Sequence, residues 1–138
     1  MKIGFLAGVS FHRDPDLLIW RPRGILDEPH VEKIIATLEK AEDEAERPFN
    51  RFTDLSKLDQ VDVSFDYVFR VALYRRVLYL NRSPVKSAMY VVDRATAEVA
   101  LTHAAVAADS PLQVRVYLQK SPAARWLGVS VTDLEADG

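Results

Sequence analysis

The sequence contains no cysteine. Disulfides, thiol nucleophiles and cysteine-ligated metals are therefore excluded, and the composition fits a cytoplasmic protein. Glycine is scarce, at five in 138 residues. There is no G-x-G-x-x-G, no glycine-rich phosphate loop and no G-x-S-x-G elbow, so nucleotide-binding and hydrolase signatures are missing. No charge of one sign dominates: 18 basic and 20 acidic side chains leave a net charge of −2. Without a basic excess, neither nucleic acid nor an acidic membrane is an expected partner. The opening stretch MKIGFLAGVSFHRD has too short an apolar run for a signal peptide, and no later run could span a bilayer. His12, His30 and His103 stand apart, without the spacing of a metal site. No metal, no cofactor and no enzymatic activity are expected.

What is present is an apolar fraction of 49%, enough for the core of one domain spanning residues 1–138. Gly8 to His12 and Leu17 to Arg21 read as strands, joined by a turn at Arg13–Asp16 where Pro15 fixes φ. Asp27 reads as a helix cap followed by Pro29, with Leu26 and Val31 spaced as a staple. Val31, Ile34, Ile35, Leu38, Ala41 and Ala45 then recur at helical spacing until Pro48. Phe49 to Asp54 is a third strand, and a second helix runs from Phe65 to about Leu80. Val85 to Asp93 reads as a strand, Asp93 as the cap of an alanine-rich helix to Ala108, and Gln113 to Leu118 as the last strand. A short helix in SPAARWL stops at Gly128, and the tail 130–138 is expected to be frayed. A hairpin followed by alternating helices and strands predicts an α/β domain with a mixed, mostly parallel sheet, an antiparallel N-terminal edge and about four flanking helices.

GILD (Gly24 to Asp27) before an amphipathic helix resembles the opening of that helix in STAS domains, the family of anti-sigma-factor antagonists. FTDLS (Phe52 to Ser56) resembles their next strand, and Asp62-Val63-Ser64 sits where that family carries a D-S-S-G switch. FNRFTDLSKL, RRVLYL and AARWLGV are similar to the SpoIIAA-like group of small bacterial proteins, whose fold is similar to the lipid-binding CRAL-TRIO domain. The resemblance runs from about Gly8 to Val129. It implies a STAS-like fold and a regulatory or binding role. It does not imply the phosphoswitch, because Val63 stands where the regulated serine would be, and Phe65 replaces the glycine.

Asp54, Ser56, Asp62 and Ser64 are the candidate switch loop, at the carboxyl end of a strand where such folds place their sites. The plainer reading makes Asp54 and Ser56 a turn and Ser64 a helix cap. The helix SFDYVFRVALYRRVLYL lacks the single apolar stripe of a helix lying on a sheet. Tyr67, Val71, Tyr74 and Leu78 share one side and are the candidate interface, although a helix wedged among neighbours would also need such residues. Arg75, Arg76, Arg82 and Lys86 are a candidate anion or headgroup site, or simply cations complementing the helix dipole. Trp126 and Leu127 are expected as core anchors of the last helix. The expected function is a regulatory or binding module that acts through a protein partner or as a homodimer. The alternative is a carrier of a small apolar ligand or lipid, with room beside the alanines of the third helix.

Overall fold

A computed structural model describes residues 6–135. Val9–His12 (β1) and Leu17–Trp20 (β2) form the expected antiparallel hairpin, with Val9 opposite Trp20 and His12 opposite Leu17. Parallel strands Asn50–Asp54 (β4), Val85–Tyr90 (β6) and Leu112–Tyr117 (β7) extend it in the order β1-β2-β4-β6-β7. The mixed, mostly parallel sheet with an antiparallel edge is thus present.

The helices start where local chemistry starts them. Asp27 accepts from the His30 N–H (3.0 Å) and opens Glu28–Glu44 (α1), with Pro29 in the first turn where no donor is needed. Ser64 accepts from the Tyr67 N–H (3.1 Å) and opens Phe65–Leu78 (α2). Asp93 accepts from the Thr96 N–H (3.0 Å) and opens Arg94–Ala107 (α3). Lys120–Leu127 (α4) ends at Gly128, whose φ of 75° is the left-handed conformation that glycine adopts without a Cβ penalty.

Two elements differ from the sequence reading. Gly24–Asp27 (β3) and Leu58–Asp62 (β5) pair in parallel as a separate two-stranded sheet, where a helix approach and a loop were expected. Such a pair is not stable by itself. It is held because Leu26 is buried with Leu18, Trp20 and Ile34, and Leu58 packs against the same cluster. The tail is also corrected: Val131–Glu135 form a fifth helix (α5), and Leu134 is fully buried beneath the sheet. Ser130 and Asp133 fix its start by exchanging side chain-to-backbone bonds of 3.0 Å each way. Residues 136–138 of the expected frayed tail lie outside the described residues.

Strand alternation divides the core in two. Leu17, Ile19, Phe52 and Ala88 point to the face covered by α4 and α5, where they meet Ala123, Ala124, Leu127 and Leu134. Leu18, Trp20, Arg51, Thr53, Ser87 and Met89 point to the other face, beneath α1, α2 and α3.

Candidate functional site

The switch-loop candidates are taken up by local structure. Asp54 is buried at the end of β4, and its Oδ1 accepts from the Ser56 N–H (3.0 Å) and hydroxyl (2.5 Å). Its other oxygen lies 3.8 Å from the Arg21 guanidinium. Asp62 lies exposed in β5, opposite Asp27, and Ser64 is the cap of α2.

The four interface candidates do not share a free surface. Tyr67 is buried, and its hydroxyl donates to the Glu28 carbonyl (3.3 Å) and to the Glu32 carboxylate. Val71 faces inward, and Leu78 packs on the cluster of Tyr79, Val85 and Leu112. Only Tyr74 is on the surface, where it donates to Glu39 (2.5 Å). The outward ridge is instead Phe65, Phe69, Leu73 and Val77 of α2, continued by Leu80 in the turn after it, each between 44% and 62% exposed. Sequence periodicity could not tell the two sides apart, because both are apolar.

The four cations are likewise separated. Arg76 donates to the Val106 (3.1 Å) and Ala108 carbonyls and so closes the end of α3. Arg82 pairs with Glu42 (3.4 Å). Lys86 sits on the opposite face of the sheet, where its ammonium donates to the Trp126 carbonyl (2.9 Å). Trp126 itself is a half-buried ring under Arg115 (4.6 Å to the centroid) rather than a full core anchor, whereas Leu127 is buried as expected.

Arg75 points inward, into a cavity of about 100 Å³ between the sheet and helices α1, α2 and α3. Apolar side chains including Leu18, Leu26, Ile34, Leu38, Val68, Val71 and Ala100 form most of its wall. Three basic groups interrupt it: Arg51, Arg75 and His103, which are 2%, 7% and 7% exposed. Arg51 pairs with Glu42 (3.0 Å) and donates to the Tyr79 hydroxyl (3.0 Å). The Arg75 Nη1 lies 3.0 Å from His103 Nε2. That contact makes Nε2 the acceptor and leaves the proton of neutral His103 on Nδ1. Burial, and then the charge of Arg75, push the His103 pKa down to about 3. Burial also lowers that of Arg75, with Arg51 adding to the effect. Arg51 and His103 were not singled out from the sequence as site residues. The available signal for the first was an arginine between Phe49 and Phe52 in a segment read as a strand.

No protein-family model matches the sequence, and no curated protein matches it. Among solved structures it is similar to an uncharacterized protein of the DUF3478 family with a SpoIIAA-like fold, from Shewanella loihica PV-4. The TM-score is 0.56 and the identity 16%, over 87% of this chain and 90% of that one. The chain has a SpoIIAA-like fold. In this SpoIIAA-like domain the end of β5 and the start of α2 occupy the region where Asp62-Val63-Ser64 resembles the antagonists' switch. Among the described residues no helix is long and apolar enough to cross a membrane.

Proposed function

We propose that the domain is a non-catalytic binding module that works by pairing with a second copy of itself through the outer ridge of α2. The exposed line Phe65, Phe69, Leu73, Val77 and Leu80 carries this reading. Spacings of four residues keep Phe65, Phe69, Leu73 and Val77 on one side of α2, and Leu80 follows in the turn after it. At roughly 200 Å² for a large side chain, they leave about 500 Å² of apolar surface in water. One side of a standard interface covers about 800 Å², of which about 450 Å² is apolar. The ridge is therefore the size that a stable pairing needs.

A second copy suits it because the ridge is nearly symmetric about Leu73. A twofold axis there sets Leu73 against itself, Phe69 against the other copy's Val77 and Phe65 against its Leu80. Each bulky ring then meets a smaller aliphatic side chain, and closed twofold pairs are the commonest soluble assembly. Asp66 and Arg70, paired at 3.5 Å and largely exposed, would form part of the polar rim. The non-catalytic half of the reading is supported by the use of Asp54, Ser56 and Ser64 in local hydrogen bonds.

Sedimentation tests the pairing. The wild type is expected as a dimer at about 10–100 µM, a usual range for interfaces of this size. Leu73→Glu, which sets two carboxylates against each other on the axis, is expected to be a folded monomer. A wild-type monomer throughout that range would refute the pairing.

A further inference from the structure

The inner side of the same helix poses a separate question. Arg51, Arg75 and Arg82 lie 5.8, 5.9 and 5.3 Å from the centroid of the Tyr79 ring. One carboxylate, Glu42, lies among them, and it pairs with Arg51 and Arg82. Arg75 has no carboxylate within ion-pair distance among the described residues. Its Nη2, the Arg51 Nε and the His103 Nδ1 are buried with no hydrogen-bond partner. Tyr79 and, from beyond ion-pair distance, Glu42 offset part of the cost of burying the Arg75 charge. Glu42, however, is shared with Arg51 and Arg82, and each orphaned donor adds to that cost. All three residues line the cavity beneath α2.

We infer that this cavity is a binding site for a small carboxylate with an apolar body, anchored by Arg75. A carboxylate adds negative charge where Glu42 alone serves three arginines, accepts two N–H bonds at once and matches the planar guanidinium fork. The Nδ1–H of His103 offers a further donor beside it. The apolar wall selects against a bare ion, because inorganic phosphate would leave the hydrocarbon side of the cavity unfilled. At about 100 Å³, the space is smaller than the apolar cavity of about 150 Å³ that holds benzene, so it suits a short aliphatic body rather than a ring. The site is independent of the pairing proposed above, which uses the opposite side of α2. It also gives the buried arginine a purpose that packing alone does not, since apolar residues cover a sheet face as well or better.

Isothermal titration calorimetry of the full chain provides the test, with propionate and butyrate as probes. Propanol and butanol serve as neutral counterparts, and inorganic phosphate as the ion without a body. At least one acid is expected to bind at a single site with Kd below about 1 mM, and its alcohol at least about tenfold more weakly. Arg75→Met, which keeps the length of the side chain without its charge, is expected to stay folded and to lose the acid by a similar factor. Phosphate is expected not to compete. Equal affinity for acid and alcohol, unchanged binding by Arg75→Met, competition by phosphate, or no saturation by either acid at about 10 mM would overturn the inference. Should Arg75→Met not fold, ¹⁵N NMR of the wild type decides. Shifts of the His103 ring and Arg75 guanidinium nitrogens on adding the acid support the site, and their absence overturns it.

Discussion

The two faces of the five-stranded sheet are built on different principles. On the α4/α5 face Leu17, Ile19, Phe52 and Ala88 pack against α4, whose small alanines let it lie close. The polar side chains there, buried Asp54 and half-buried Lys86, are taken up by Arg21, Ser56 and the Trp126 carbonyl. On the α1–α3 face the two central strands contribute Arg51, Thr53 and Ser87, all buried, and α2 and α3 add Arg75 and His103. The same strands therefore carry structural side chains on one side and polar ones beside a cavity on the other. A sheet selected only for stability would not place two arginines next to unfilled space, since desolvating a charge offsets much of what packing gains. The α4/α5 face holds the domain together. The face beneath α2 is where binding is proposed, with the outer ridge of that helix a few ångströms away through one layer of backbone.

The largest expected effect lies on the packed face. Phe52→Ala should cost about 3–5 kcal/mol in denaturant unfolding, as emptying a large aromatic from a filled core does. Val71→Ala, at the cavity on the other side, should cost only about 1 kcal/mol, because its methyls already border empty space. Similar losses at both sites would erase the contrast between the faces.

A middle-sized effect follows from His103. Its pKa is lowered from the ordinary 6.5 to about 3 by burial and by Arg75. Between those values the unfolded chain binds a proton that the folded chain does not. Stability is therefore complete above pH 6.5 and falls as the pH drops, by up to about 1.4 kcal/mol per unit. Urea titrations at pH 7 and pH 5 should show the wild type losing about 2 kcal/mol more than His103→Gln. Equal losses would mean that His103 accepts its proton inside the fold.

Much of this organisation is legible locally and little of it globally. Asp27, Ser64, Asp93 and Gly128 mark helix ends because capping depends on one side chain and the next three N–H groups. The β3–β5 pair is not legible, since among its four and five residues only Leu26 is buried and its partner strands are far apart in sequence. The α5 helix was hidden for a similar reason: Leu134 is its one buried anchor. Helix α2 gave the misleading case. Tyr67, Val71 and Leu78 and the ridge from Phe65 to Leu80 are both apolar enough to be outside or inside, and only the packing of α1, α3 and the sheet around the helix decides. Arg75 likewise reads from sequence as a surface cation near a helix end, and its burial depends on His103, 28 residues away.

The smallest expected effect is at the start of α2. Ser64→Ala should cost about 1 kcal/mol through loss of the cap to Tyr67, with Ser64→Asp close to neutral. Thermal unfolding measures it. A variant of unchanged stability that no longer pairs would instead give this serine a role in association.

The pairing of α2 with itself can be measured most directly through the absence of native cysteine. A single Leu73→Cys substitution places one thiol on the proposed twofold axis, and Leu118→Cys places one at an exposed site away from it. Facing helices in contact bring such Cα atoms within disulfide reach. Under mild oxidation Leu73→Cys is expected to convert to a covalent dimer rapidly and nearly completely, while Leu118→Cys does so slowly. Equal rates for the two variants would contradict a dimer built on the outer ridge of α2.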